Sequence, residues 1–483
     1  MRKENMPDYP KNILTHLSSE QMTRNLAWLL IALATALVMV LSLERSFDHD
    51  EFEAIKTAWK IYHGERIYTD FFQHHHPLLY YTMTPLISIF GDNMSTVFAA
   101  RILMLGFTLA SVAVVYALTS RLYTHQAAVT GVLFLLCITL FVGASIEVRP
   151  DVPQTFLGLL SLLFLYRYFE SGHTALLVLS ALSMSMGYLF LQKLMILMVM
   201  VLAVLIYRVL RKQLHLFVLI QFTVVLLAVW GGYCMYMAQS GQFTQYWFLN
   251  FELNTANLGG NWLRTQLLLD HFKHFNGIVL LCFILGLFCA KTQEQRELAV
   301  IVVALISFSM AYRTQFAQYY MMALPLVAII AAGGWEVLWR RCGIAGPICL
   351  VVVLVGATAS YVGDIFFHNN RAQIHRINYV LKNTIPTDII YDGDIQYNLF
   401  RRDLDYFWYS VGPGQSLDKY KKLKNYNYNI YGLIEKYQPK IISDYAIDDM
   451  SRPVIRDHYR KDLNFPSLYI RRDNGNAHEG RTE

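Results

Sequence analysis

LAWLLIALATALVMVLSL, residues 26–43, runs straight into Glu44-Arg45-Ser46-Phe47-Asp48-His49-Asp50-Glu51-Phe52-Glu53, and this junction decides the fold. The first part is an uncharged, almost wholly apolar block, close to the ~20 residues that a helix needs to cross a hydrocarbon layer. A long charged stretch precedes it and no small-residue cleavage site follows, so it reads as a spanning helix that stays rather than a cleaved signal. The second part sets four carboxylates within six residues directly beside lipid. Charge in that position is costly and tends to be functional.

The rest of the chain repeats the apolar character. Ten further blocks, at roughly 95–118, 126–145, 152–168, 174–190, 194–210, 215–237, 276–290, 298–312, 318–338 and 344–363, bring the expected count to about eleven spans. Over 483 residues, 55% are hydrophobic and only 16% charged, with a mean hydropathy of +0.33, too little charge to cover a soluble surface of this size. The fold class expected is a mainly α, polytopic transmembrane helical bundle over residues 1–363. Residues 364–483, where charge returns, are expected to form a small soluble α/β domain.

The net charge is +6, yet no basic run with interleaved aromatics suggests nucleic acid. Topology explains the excess. With the N-terminus in the cytoplasm, Arg2, Lys3, Lys11, Arg24, Arg121, Arg167, Arg208, Arg211, Lys212, Lys291, Arg296, Arg340 and Arg341 all fall on the cytoplasmic side, as the positive-inside rule favours. An odd number of spans then places residues 364–483 outside, together with the first large loop, 44–94. Within that loop, Leu78–Phe90 is apolar but short and reads as an interfacial helix. A later outer segment, about 238–275, holds Asn250, Asn254, Asn257, Gly259, Gly260 and Trp262. All six cysteines lie in apolar stretches without metal-ligand or redox spacing, so they read as small hydrophobes. In the tail, Arg371–Asn383 has helical periodicity and Leu417–Gln438 is partly helical. Asp388–Asp392, Lys440–Asp444 and Leu468–Arg471 read as short strands.

Four clusters carry possible chemistry. In the acidic run, Asp48 with Glu51 three residues on makes a capping box, and acids in a first turn suit the helix dipole. Phe52, Ile55, Trp59 and Tyr62 would then form one apolar stripe, with Gly64 ending the helix. Capping leaves Asp50 over, so Asp50 is the candidate functional residue of the run. The second cluster is Asp70-Phe71-Phe72-Gln73-His74-His75-His76-Pro77. Three adjacent histidines cannot all point one way; two of them could contact a phosphate or a metal, or the run could fill the interface before a helix. The third, Glu147-Val148-Arg149-Pro150-Asp151, opens a helix and offers either an Arg149–Asp151 salt bridge or a second acid on the face of Asp50. The fourth is Gln192-Lys193 between apolar blocks, where Lys193 either snorkels to headgroups or meets a phosphate. Arg313 and Tyr319-Tyr320 hold a similar outer position, the tyrosines reading as packing residues.

On Asp50-Glu51, on Asp70-Phe71-Phe72…His76-Pro77-Leu78-Leu79-Tyr80-Tyr81, on Arg149-Pro150-Asp151 and on Tyr319-Tyr320…Leu324-Pro325-Leu326, the chain resembles the GT-C superfamily of membrane glycosyltransferases. It is most similar to the bacterial, glycosyltransferase family 39-like branch of protein O-mannosyltransferases and aminoarabinose transferases. The resemblance implies a polyprenyl-phosphate sugar donor and an extracytoplasmic lipid, glycan or protein acceptor. It also implies an inner-membrane location and an inverting transfer with Asp50 as base, Asp151 as the second acid and Glu51 beside them. The donor phosphate would be held by His75, His76, Lys193 or Arg149. No metal ligands are assigned, although a divalent metal would be compatible with the histidines and acids. His75 is a departure, because relatives of the aminoarabinose type often carry lysine there. The expectation for the histidines is a protonated contact to the donor phosphate. A transporter or flippase for a lipid-linked intermediate is the rival reading, and it predicts broken helices and midplane charges.

Overall fold

The computed structural model describes residues 11–255, 276–311, 316–342, 345–393, 395–412 and 415–472. Arg2, Lys3, Asn257, Gly259, Gly260, Trp262, the stretch to Phe275 and Arg313, all singled out above, lie outside these residues.

Helices cover all eleven apolar blocks. They begin with α1 (Lys11–Glu44), α2 (His49–Tyr62), α3 (Leu78–Phe90), α4 (Met94–Leu122), α5 (His125–Cys137), α6 (Thr139–Ser145), α7 (Asp151–Ser171), α8 (Thr174–Phe190), α9 (Met195–Leu210) and α10 (Leu216–Gln239). Beyond these come Gly277–Phe288, Gln293–Met310, Ala323–Cys342 and Ala345–Phe367. Among the described residues, four segments are long and apolar enough to cross a membrane alone: α4, Gln192–Leu210, α10 and Leu350–Phe367. The expected 126–145 span is instead two helices, α5 and α6, bent by 70° at Ile138. Thr108 Oγ1 and Arg45 Nη1 donate to the carbonyls of Ser145 (2.7 Å) and Gly143 (2.8 Å), satisfying groups that a helix end leaves open. The bend turns α6 toward the acidic loop.

Close helix contact rests on small residues. A Cβ at Gly334 would fall 1.9 Å from the carbonyl oxygen of Cys282, and one at Gly286 would fall 2.2 Å from that of Ile330, so Gly277–Phe288 and Ala323–Cys342 pack backbone to backbone.

The first and last apolar helices end side by side. Ser46 N donates to His368 O at 2.7 Å, and Asn370 N to Glu44 O at 2.9 Å. The C-terminal region therefore starts on the face where the first loop starts. It holds helices Arg371–Asn383, Ser416–Lys424 and Ile430–Tyr437, and a four-stranded sheet of β1 (Ile390–Tyr391), β2 (Ile441–Ser443), β3 (Tyr459–Lys461) and β4 (Leu468–Arg471) in the order β1-β2-β4-β3. β1 and β2 are parallel, and the other pairs antiparallel. Three of these strands match the sequence expectation; β3 does not appear in it. Tyr391, Ile434, Ile442, Ile455 and Tyr459 make a small core under the sheet. Phe400, Phe407, Trp408 and Tyr409 join instead the main core, against Phe71 and Phe72 of the first loop.

Candidate active site

The start of α2 is set by the capping box read from the sequence. The Asp48 side chain accepts from Asp50 N at 2.9 Å, and the Asp48 N–H donates to Glu51 at 2.9 Å. Phe52, Ile55 and Trp59 are buried as the stripe predicts, but Tyr62 is exposed. The polar face is buried too, because the C-terminal region covers it. Lys56 is fully enclosed, donates to Asn398 O at 2.8 Å and pairs with Asp403, which also pairs with Lys60 at 3.0 Å.

Glu51 does not reach the substrate side. It is completely buried and receives Nε (2.8 Å) and Nη2 (2.7 Å) of Arg101 and the backbone N–H of Val148 (3.1 Å). Arg101 in turn donates to the carbonyls of Ser42, Arg45 and Ser46 and stacks on Phe47. This departs from the catalytic expectation for Glu51: its carboxylate accepts from Arg101 on α4, from Val148 in the 147–151 turn and from Asp48, the bonds of a residue that ties the scaffold together. Arg101 carries no local signal in the sequence.

Asp50 lies on the other side of the turn, partly exposed, in the wall of a cavity of about 890 Å³. Arg149 sends its three guanidinium nitrogens to Glu147, Asp50 and, at 2.8 Å, Asp48. The Arg149–Asp151 salt bridge expected from sequence is not the one formed: Asp151 pairs with Lys193 at 3.2 Å, and Lys193 sits 4.0 Å above the Tyr319 ring. Asp50, Asp151, Arg149 and Lys193 thus line one cavity from three separate segments. Burial alone would raise the Asp50 pKa, but Arg149 and His49 outweigh it and hold the carboxylate below its ordinary value.

The histidines divide. His74 and His75 line the cavity. His76 turns away, fully buried among Tyr188, Tyr246 and Phe251, with both ring nitrogens lacking a hydrogen-bond partner. Burial lowers all three pKa values: His74 to about 4, His76 to about 3, and His75 well below its ordinary value. Burial thus works against the protonated phosphate contacts expected from the sequence. The metal question moves as well. Among the described residues, Asp48, His49 and Asp50 place ligand atoms within 4.8 Å of one another, but Arg149 already bonds both carboxylates.

Sequence reasoning missed Glu53, Gln73 and Tyr409. Glu53 is nearly buried yet reaches the cavity; Gln73 Nε2, Thr57 Oγ1 (3.3 Å) and Tyr80 OH (3.3 Å) all donate to its Oε1. Tyr409 comes from the Tyr406-Phe407-Trp408-Tyr409 run, an aromatic density in a polar tail that is visible in the sequence. Tyr319 proves to be cavity wall, whereas Tyr320 is core, as expected for it.

The family model for dolichyl-phosphate-mannose-protein mannosyltransferases matches residues 74–232, from the histidine run to α10. No curated protein gives a significant match. Among solved structures, the chain is similar to ArnT from Cupriavidus metallidurans bound to undecaprenyl phosphate, with a TM-score of 0.71 at 12% identity, covering 92% of this chain and 98% of that one. The archaeal oligosaccharyltransferase AglB from Archaeoglobus fulgidus, in complex with an inhibitory peptide and a dolichol-phosphate, matches with a TM-score of 0.57 at 12% identity, covering 95% and 75%. The chain therefore has the fold of these solved structures, and its residues 74–232 match the mannosyltransferase family model.

Proposed function

We propose that the protein transfers a sugar from a polyprenyl-phosphate carrier to an acceptor hydroxyl at the extracytoplasmic face of a bacterial inner membrane. The observation that carries this is the Asp50 carboxylate, open to a large cavity and kept ionised by Arg149. Asp50 takes the acceptor proton, the acceptor oxygen forms a bond to the anomeric carbon, and the carbon–oxygen bond to phosphate breaks with its electron pair leaving on the carrier. One displacement inverts the anomeric centre. A phosphate leaves ionised, so no strong acid is needed opposite Asp50. Lys193, held by Asp151 and Tyr319, is the cation best placed to meet that phosphate as a point charge. Arg149 is occupied by three carboxylates and serves to orient Asp50. The carriers bound to ArnT and AglB, undecaprenyl phosphate and dolichol-phosphate, support the donor class.

In this reading residues 1–363 are the membrane catalytic part and 364–483 an extracytoplasmic domain that roofs the cavity. The basic-loop asymmetry supports the orientation. The transporter reading is disfavoured by the gathering of carboxylates at one face. Mass spectrometry of envelope glycans from cells with and without the protein, with transfer assays from polyprenyl-phosphate sugars, tests the proposal. Identical glycans and no transfer from any donor would overturn it.

A further inference from the structure

We infer that Glu53 reads the substrate: it presents a neutral carboxyl whose Oε2–H donates a hydrogen bond to a hydroxyl oxygen of the sugar or acceptor beside Asp50. The inference rests on the transfer reading and deepens it by naming a residue that selects the substrate.

The argument is one of hydrogen-bond polarity. The backbone N–H groups of His74 (2.7 Å) and His75 (3.1 Å) both donate to Oε1 of Gln73. Main-chain donors cannot reverse, so the Gln73 amide orientation is fixed and its Nε2–H must face Glu53 and Thr57. Thr57 Oγ1 accepts from Gln73 at 3.0 Å, which leaves its own proton for Glu53. Gln73, Thr57 and Tyr80 therefore converge on Oε1 of Glu53 and hold it as an acceptor. Any proton that Glu53 carries sits on Oε2, the oxygen left over for the cavity that Glu53 lines.

The surroundings favour that proton. No cation pairs with Glu53 among the described residues, in contrast to Asp48, Asp50 and Glu147, which share Arg149. Its titratable neighbours are Asp50 one turn earlier on α2, Tyr80 on α3 and Tyr409 from the C-terminal segment, with His74 beyond on the cavity wall. None supplies a positive charge at neutral pH, and Asp50 supplies a negative one. Burial and Asp50 push the Glu53 pKa up to about 8, against the donors that favour its ionised form. Two acids three residues apart on one helix are thus split: Asp50 accepts a proton while Glu53 offers one.

Infrared pH-difference spectroscopy of the intact protein reads the protonation directly. A protonated-carboxyl band at pH 7 that vanishes above about pH 8 and is missing in Glu53→Gln is expected. A wild-type spectrum without that band would overturn the inference, whether or not transfer is observed. In transfer assays, the wild-type KM for one substrate should rise as pH passes about 8. Glu53→Gln keeps a donor toward the cavity, so its KM should stay flat with pH. Glu53→Ala should raise that KM about 10-fold, the scale of one lost hydrogen bond to a substrate. A rise for the donor places the contact on the sugar, and a rise for the acceptor places it there. Unchanged KM values for both would overturn the inference even where the band is present. Failure of wild-type transfer with every donor would sink the proposed reaction and leave the infrared result standing.

Discussion

The hydroxyl of Tyr409 stands 2.9 Å from Nδ1 of His74 and 3.1 Å from Oε1 of Gln73, so the C-terminal region contributes a side chain to the cavity that Asp50 lines. Its neighbours in sequence fasten it. Phe72 N donates to Tyr406 O (2.9 Å), Trp408 Nε1 donates to Phe72 O (2.9 Å), and Tyr406 OH donates to Tyr68 O (2.8 Å). Tyr409→Phe removes one hydroxyl and leaves these main-chain anchors. It is expected to cost about 1 kcal/mol of substrate binding, roughly 5-fold in KM, with kcat nearly kept. A fall in kcat of about 10²-fold at constant KM would instead put the hydroxyl in the chemical step.

The same docking depends on a buried ion pair. Asp403 faces Lys56 and Lys60, both enclosed under the C-terminal region. Asp403→Ala strands Lys56, while Lys60 keeps Glu65 at 3.0 Å, and breaking a buried pair costs about 3–5 kcal/mol. The variant should unfold at lower temperature in detergent, and limited proteolysis should release the region after residue 364. Unchanged protease resistance would show that the aromatic contacts alone hold it.

Glu51 and Asp50 are adjacent in sequence and should fail differently. Glu51→Gln removes the charge facing fully buried Arg101 and is expected to lower thermal stability by the same order, about 3–5 kcal/mol. The protein that remains folded should keep the pH profile of the wild type. Asp50→Asn should keep the melting temperature and lose about 10²-fold or more in turnover, the scale of general-base loss. A Glu51→Gln protein as stable as wild type but inactive would return Glu51 to the catalytic set.

The sequence reveals what is local and hides what is distant. Apolar blocks long enough for helices, the capping box at Asp48 and Glu51, and three of the four strands each carry their signal within one short stretch of chain. β3 escapes because Arg460 and Lys461 are exposed, leaving Tyr459 as its one buried residue. The Arg101–Glu51 pair spans 50 positions and Lys56–Asp403 spans 347, so no window along the chain links them. Glu53, Lys56 and Lys60 fall outside the apolar stripe of α2, and the roof formed by the C-terminal region buries them. That roof also works against the expectation for the histidines. Their residue type suggests cations near neutrality, whereas burial lowers their pKa values and, at His74, outweighs the Asp50 carboxylate.

The acid side of the pH profile tests the proposed role of Asp50. A base must be ionised, so activity falls as pH drops through its pKa in the enzyme. Arg149 holds that pKa below the ordinary aspartate value despite burial, which places the limb at unusually low pH. His74 titrates nearby, at about 4, so the limb alone does not identify its owner. Arg149→Gln separates the two. Arg149 is not among the charges acting on His74, but it is the strongest influence lowering Asp50. Removing it leaves burial opposed only by His49 and His74, so the Asp50 pKa should rise. The acid limb of kcat/KM should move to higher pH, with the transfer rate recovering as pH is raised. A limb that stays in place in Arg149→Gln but moves in His74→Asn would assign the titration to His74 and remove Asp50 as the base.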